Sequence, residues 1–294
     1  MPQASDEIAR NGLRPFLKWP GGKRWLASKI APYIKGAFGR YIEPFLGGGA
    51  FLFALEPSKG IVSDINKDLI SCYEAIRKDA LRVLLEFNEL QISKEEYYRI
   101  RDRWSPKCEF KRAARLVYLL RHSWNGLYRV NQKGHFNVPY CPRPRKDKLK
   151  METMTKVQSI LRRVELKCQD FEEVICNTKE GDFIFADPPY FENDHEKFGR
   201  YSSVSFKEGD QERLARSLVS ADHRGASWIL TNGSLEKVRK HFHRYEIYIV
   251  PRFSSIAANP KCRGMIREYL VISNSSAIHG LSQHLRSHYK HMIS

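Results

Sequence analysis

Apolar residues along this chain follow one pattern at its two ends and another in the middle. Near the start, Tyr41-Ile42-Glu43-Pro44-Phe45-Leu46 reads as a strand, Gly47-Gly48-Gly49 as a turn, and the apolar stretch to Leu55 as a helix. Gly60-Ile61-Val62-Ser63-Asp64 is a second short strand ending in an acid. Strand, glycine turn, helix, strand and acid are the parts of the first βαβ unit of a nucleotide-binding α/β sheet. The glycines let backbone approach a ligand closely, and an acid at the second strand's tip suits ribose hydroxyls.

From Ile65 to Val164 no strand of the same kind follows, a gap far too long for an α/β crossover. The pattern turns helical, as in Phe110 to Ser123, where Ala113, Leu116, Val117 and Leu120 share a face. After Gly126 a hairpin is predicted, with Leu127 to Val130 and His135 to Val138 flanking Asn131-Gln132-Lys133-Gly134. Strand patterns resume at Val164 to Lys167, Asp182 to Asp187, Ala226 to Thr231, Tyr245 to Pro251 and Ile266 to Ser273. Gln211 to Ser220 is predicted helical, with Leu214 and Leu218 on its apolar face. The expected organisation is an α/β domain in two pieces, 1–74 and 166–275, interrupted by an inserted domain over 75–165. The last stretch, 276–294, carries His279, His284, His288 and His291 with little periodicity. A mobile tail is expected there rather than a metal site, because no paired Cys or carboxylate ligands accompany the histidines.

At 294 residues, 42% hydrophobic and 28% charged, the chain has the makings of a folded protein with one sizeable core. No apolar segment approaches bilayer length, and Met1 to Arg14 lacks an apolar signal core, so a cytoplasmic protein is expected. Six scattered cysteines without a C-x-x-C pair argue for free thiols and against zinc. The net charge of +17 favours a polyanionic partner. Between Ala75 and Glu165 stand 22 Lys and Arg against 10 Asp and Glu, so the middle third carries most of the excess.

The most informative stretch is Asp187-Pro188-Pro189-Tyr190, at the end of the buried strand pattern Asp182 to Ala186. Two prolines fix the backbone and remove two N–H donors. A carboxylate, the Pro188 carbonyl and an aromatic face remain, which suits a flat heterocycle bearing an exocyclic amino group, adenine above all. An ordinary strand-ending turn would use the same residue types. Upstream, Phe16-Leu17-Lys18-Trp19-Pro20-Gly21-Gly22-Lys23 resembles a phosphate loop but is not one. Arg24 follows Lys23, and position 17 is not glycine. The alternatives are a plain turn before a helix over Trp25 to Ile34, or a loop holding a carboxylate such as that of a methionine moiety.

Taken in order, F-L-K-W-P-G-G-K, E-P-F-L-G-G-G-A-F, the acid of V-S-D-I-N, and D-P-P-Y resemble DNA adenine-N6 methyltransferases of the Dam type. Between them, N-G-L-Y-R-V-N-Q-K-G-H-F-N-V-P is similar to that family's recognition hairpin, and the likeness spans roughly residues 14–275. The resemblance implies a Rossmann-like, seven-stranded S-adenosylmethionine-dependent methyltransferase sheet. It also implies an inserted, mainly helical target-recognition domain containing a β-hairpin.

Carried over by motif, Trp19, Gly21, Gly22 and Lys23 line the cofactor site, and Glu43, Pro44, Phe45, Gly47, Gly48 and Gly49 form its floor. Asp64 contacts the ribose, Asp170 and Phe171 read the cofactor adenine, and Asp187 borders cofactor and substrate. Asp187, Pro188, Pro189 and Tyr190 take the catalytic positions. The hairpin motif puts Asn125, Tyr128, Arg129, Asn131, Lys133, Asn137 and Pro139 on DNA, and the following basic run adds Arg143, Arg145 and Lys146. Arg129 and Asn131 are the residues expected to reach base edges, since Arg suits guanine and Asn adenine. A solvated hairpin and a solvated basic loop are the plainer alternatives.

The implied substrate is double-stranded DNA at a site containing G-A, GATC among the options, with the adenine extruded for chemistry. The chain departs from the Dam pattern after Pro139, where Tyr140-Cys141-Pro142 replaces a glycine-containing ending. Neither metal nor membrane is expected as a partner. A monomer is expected, with a cognate restriction endonuclease as partner if the enzyme belongs to a restriction pair. The competing readings are the same chemistry on RNA or cytosine-N4, and a non-catalytic DNA-binding protein.

Overall fold

The computed structural model describes residues 13, 15–144, 148–190, 206–254, 264–275 and 278–292. They form two compact units. The first draws on Met1–Pro32 and Leu46–Gln169, the second on Tyr33–Phe45, Asp170–Lys197 and Phe206–Ser294.

Elements run in the order α1 (Arg24–Ile34), β1 (Arg40–Glu43), α2 (Ala50–Leu55), β2 (Gly60–Ser63), α3 (Lys67–Asn88), α4 (Lys94–Asp102) and α5 (Glu109–His122). A single 3-10 turn (Trp124–Gly126) follows, then α6 (Met151–Leu161), β3 (Val164–Lys167), α7 (Phe171–Ile175) and β4 (Asp182–Ala186). The chain continues through α8 (Glu208–His223), β5 (Ser227–Asn232), α9 (Leu235–Phe242), β6 (Glu246–Ser254), β7 (Gly264–Ile272), α10 (His279–His288) and β8 (Lys290–Met292).

In the first unit β2 and β3 pair in parallel, Gly60 opposite Val164 and Ser63 opposite Lys167. Parallel partners need a long crossover. Here it contains α3 to α6 and the hairpin. Asn66 caps α3, its side chain accepting the Leu69 N–H at 3.0 Å. At Asp79 the backbone leaves helical geometry (φ −153°, ψ 91°). Its Oδ1 accepts the Arg82 N–H at 2.9 Å, restarting the helix around a kink. α3 packs on α5 and α6 and buries Leu69, Ile76 and Val83, as α5 buries Ala113, Val117 and Leu120.

The predicted hairpin forms with little regular ladder. Val130 bridges Phe136 and Ser123 bridges Tyr140, both antiparallel. Asn131 N–H donates to the His135 carbonyl at 2.9 Å, and Gly134 makes the turn with φ +77°. The Tyr97 hydroxyl of α4 donates to the Val138 carbonyl at 2.9 Å, fastening the returning arm.

In the second unit β1, β4 and β5 are parallel, and β7, β6 and β8 extend them antiparallel, in the order β1-β4-β5-β7-β6-β8. Asp182-Phe183-Ile184-Phe185-Ala186 is buried throughout, which explains its near-continuous apolar run. Arg40 clasps the buried Asp182 carboxylate with two N–H groups, at 3.1 and 2.6 Å, locking the β1–β4 register.

The expectation of a mobile tail over 276–294 is corrected. Its described part forms α10, burying Leu281 and Leu285, and β8, which pairs with β6. Tyr33 stacks on His284 with ring centroids 4.0 Å apart. The helix has only two apolar anchors four residues apart, too few for periodicity to declare it. β8 is an eighth described strand beyond the seven that the resemblance implied.

Candidate active site

In the first unit the site is built around the glycine turn that precedes α2. Gly47 and Gly49 adopt left-handed backbone (φ 46° and 65°). A Cβ on Gly47 would stand 2.9 Å from the Trp19 indole, and one on Gly48 3.1 Å from the Trp19 Cβ. The turn is therefore glycine both for its dihedral angles and for the ring lying on it. Gly47 N–H donates to Asp64 Oδ2 at 3.0 Å, and its carbonyl accepts the Tyr73 hydroxyl at 2.9 Å. Asp64 Oδ1 accepts the Asn66 N–H at 2.9 Å. Burial raises the Asp64 carboxyl above its ordinary pKa, against the two backbone donors that lower it.

Trp19 also stacks on Tyr128, centroids 5.2 Å apart and planes 26° apart. Gly21 turns the chain at φ +73°, and its carbonyl accepts Lys23 Nζ at 3.0 Å. Lys23 is only 3% exposed. Such burial is rare for lysine.

Of the residues assigned to DNA, Tyr128 is buried, its hydroxyl donating to Asp68 Oδ2 at 3.2 Å. Burial, then the Asp68 charge, raises its pKa. Asn125 and Gly126 are both left-handed (φ 54° and 64°), and a Cβ on Gly126 would fall 2.2 Å from Lys18 Cδ. Arg129 Nε donates to Asn137 Oδ1 at 2.7 Å. Asn131 Oδ1 accepts the N–H groups of Lys133 and His135 at 2.9 and 3.0 Å, an Asx cap on the hairpin turn. Asn131, Lys133, Pro139 and Arg143 are exposed. Arg145 and Lys146 lie outside the described residues, as does Cys262. Cys72, Cys108, Cys141, Cys168 and Cys176 are free.

In the second unit the remaining candidate residues gather at the carboxyl ends of β1, β4 and β5, the edge at which open parallel sheets bind ligands. Glu43, buried at the end of β1, accepts the Tyr41 hydroxyl at 2.9 Å. Burial, reinforced by Glu43, holds the Tyr41 phenol well above its ordinary pKa. Pro44 is buried beside it. Phe45, Phe171 and Phe206 form an aromatic cluster with centroids 5.4 to 5.9 Å apart. Asp170 caps α7, its Oδ1 accepting the Glu172 N–H at 3.0 Å. Arg213 of α8 binds Asp170, Glu172 and Asp210 together, and its guanidinium lies 4.8 Å from the Phe171 ring centroid.

Asp187 and Tyr190 are half-buried, Pro188 is buried and Pro189 is exposed. Thr231 Oγ1 donates to Asp187 Oδ1 at 2.5 Å. A Cβ on Gly233 would stand 3.0 Å from the Tyr190 ring. Tyr73, Phe206, Arg213, Thr231 and Gly233 escaped the sequence reading. The readable signal was Thr231-Asn232-Gly233 at the end of a strand pattern, the counterpart of D-P-P-Y on the neighbouring strand.

The structure thus joins Trp19 to Gly47 and Gly48, Gly47 to Asp64, and Phe45 to Phe171. The residues present fit S-adenosylmethionine. Within the first unit a buried cation suits its carboxylate and an acid at a glycine turn its ribose; within the second, a phenylalanine cluster beside an aspartate suits its adenine. Among the described residues no group of three or more His, Cys, Asp or Glu is arranged to hold a metal. Nor is any helix among them long and apolar enough to cross a membrane.

Residues 19–256 match the family model of D12 class N6 adenine-specific DNA methyltransferases. A type II methyltransferase of Lactococcus lactis subsp. cremoris is 34% identical over 269 residues, covering 88% of this chain and 95% of that protein. A type II methyltransferase of Methanocaldococcus jannaschii is 38% identical over 243 residues, 75% of this chain and 84% of that protein. The DNA adenine methylase of Escherichia coli is 28% identical over 266 residues, 88% of this chain and 95% of that protein. The fold is accordingly the Rossmann-like methyltransferase fold and the methyl donor S-adenosylmethionine, and the chain belongs to the D12 class of N6 adenine-specific DNA methyltransferases.

Proposed function

We propose that this methyltransferase acts on an extruded adenine in duplex DNA at a short site containing G-A, GATC being the first to test. In this reading Asp187 and the Pro188 carbonyl accept the two N6–H bonds and Tyr190 stacks on the base. Adenine's amino lone pair is delocalised into the ring, and two acceptors draw the nitrogen toward tetrahedral geometry. S-adenosylmethionine supplies an electrophilic sulfonium methyl. Holding the amine in line with that methyl accounts for much of the rate, and the carboxylate favours the positive charge that develops on nitrogen. The alkylated nitrogen then sheds a proton to the adjacent carboxylate. The observation that carries the reading is the Asp187 carboxylate, pinned by Thr231 at the end of a buried strand and followed by two prolines and an aromatic ring.

Trp19, Gly21, Gly22, Lys23, Glu43 to Phe45, Gly47 to Gly49, Asp64, Asp170 and Phe171 are proposed to hold the cofactor. Residues 75–165 are proposed as the target-recognition domain. Arg129 and Asn131 would read bases, while Arg143, Arg145 and Lys146 hold phosphates. The excess of 12 basic over acidic residues in that segment supports the assignment. The enzyme is proposed to work as a cytoplasmic monomer. Two relatives carry type II methyltransferase names, which supports a restriction endonuclease of matching site as partner.

Sequencing-based detection of methylated adenines in DNA from cells expressing the protein tests activity, base and site together. Modified adenine within one G-A-containing site is expected. A consistent site lacking G-A would discard the hairpin assignment, and unmodified DNA would discard the reading.

A further inference from the structure

We propose that Thr231 is a positioning residue for methyl transfer: its hydroxyl sets the rotation of the Asp187 carboxylate so that the second oxygen faces the adenine amine. The inference rests on the catalytic reading of Asp187. A carboxylate turns about its Cβ–Cγ bond in a broad, two-fold well, so the side chain alone does not choose which oxygen points where. A donor at one oxygen chooses. Thr231 Oγ1 is such a donor, 2.5 Å from Asp187 Oδ1.

The donor is itself immobile. β4 and β5 pair in parallel with Ala186 opposite Leu230, so Asp187 and Thr231 come next in register at the carboxyl ends. On its other side Thr231 pairs with Leu270 of β7. It is 1% exposed, and its branched Cβ restricts χ1. The turn that follows is fastened as well. Asn232 Oδ1 accepts the Ser234 N–H at 2.8 Å, and its Nδ2 donates to Gln211 Oε1 at 3.3 Å. Gly233 then leaves room for the Tyr190 ring, which lies 3.0 Å from where a Cβ would stand. Thr231-Asn232-Gly233 thus holds both the acid and the aromatic ring of the motif. The chemical balance is unchanged: the N6–C bond forms as the S–C bond breaks. Thr231 keeps its proton and orients only.

The test uses the purified full chain under single-turnover conditions, with labelled S-adenosylmethionine and a duplex containing the mapped site. Thr231→Val keeps the shape and removes the hydroxyl. Transfer is expected to slow by about 10- to 100-fold, in line with the cost of small misplacements of a reacting group. Cofactor and DNA affinities should stay within about three-fold, the signature of an interaction made at the transition state. Thr231→Ser should restore the rate to within about three-fold of wild type on the same reasoning. If the valine variant does not fold, the Thr231→Ser and Thr231→Ala pair differs by the hydroxyl alone and carries the comparison. An unslowed valine variant overturns the proposal, as does a serine variant as slow as valine or alanine. Asp187→Ala run alongside separates the two ideas. If it is inactive while Thr231→Val is unimpaired, only the positioning role falls. If it transfers normally, the catalytic reading falls.

Discussion

Asp64 and Asp187 occupy the same place in two different units, each following the carboxyl end of a parallel strand, yet they are held by opposite means. Both Asp64 oxygens accept backbone N–H groups, from Gly47 and Asn66. Asp187 takes its orienting bond from a side chain on the neighbouring strand, Thr231. A carboxylate tied to backbone is part of the turn's architecture and keeps its partners whatever side chains surround it. One that accepts a side-chain hydroxyl can be re-aimed by changing that side chain. The difference suits the proposed roles: the first shapes a pocket for an invariant cofactor, and the second controls a reacting geometry.

The sharpest way to break this contrast is Asp187→Ala. Methyl transfer is expected to fall roughly 10³-fold or more, because alignment and charge stabilisation are lost together. DNA affinity in a gel-shift or anisotropy assay should stay near wild type. Turnover close to normal would end the assignment.

Gly47→Ala attacks the other side. A left-handed alanine costs about 1–2 kcal/mol, and its Cβ would arrive 2.9 Å from the Trp19 indole. Trp19 must move. Calorimetry is expected to show S-adenosylmethionine binding weakened about ten-fold, the equivalent of roughly 1.4 kcal/mol, with the chain still folded. Unchanged affinity would remove Trp19 and the turn from the cofactor site.

Asp64→Asn has a smaller and more informative effect. The amide keeps one acceptor and faces a backbone N–H with a donor, leaving one hydrogen bond unmade at about 1–3 kcal/mol. Denaturant unfolding at neutral pH reads this directly. Its pH dependence has a defined sign. Because the folded-state pKa of Asp64 is raised, the ionised form costs stability at neutral pH. That cost is relieved as pH falls from the raised folded pKa toward the unfolded one. The wild type should therefore gain on the Asp64→Asn variant on acidification. A gap that shrinks instead would contradict the burial-dominated shift.

How far the chain could be read in advance depended on how local the cause was. Phe183-Ile184-Phe185-Ala186 declared a buried strand by composition, and the Asn131 to Gly134 turn declared a hairpin by its residue types. In both, the structural reason lies within a few neighbours. Arg213 was not legible. Its partners Asp170 and Glu172 stand about forty positions upstream and meet it only when α7 and α8 pack. α10 was missed because burial of two leucines and a ring stack on Tyr33 stabilise it, rather than a periodic stripe. Tyr128 was read as a DNA contact from its motif, while its burial against Trp19 depends on two segments over a hundred residues apart in sequence.

The sequence by itself determined the main strand patterns of the sheet, the glycine turn, the rigid Asp187-Pro188-Pro189-Tyr190 segment and the basic middle third. Each follows from side-chain chemistry acting over a few bonds or from charge summed along a stretch. Only the tertiary structure decided which groups meet: Thr231 on Asp187, Trp19 on Gly47, Arg213 on three carboxylates. Hydrogen bonds and ring contacts act over a few ångströms, and strand register and helix packing alone bring residues so distant in sequence within that range.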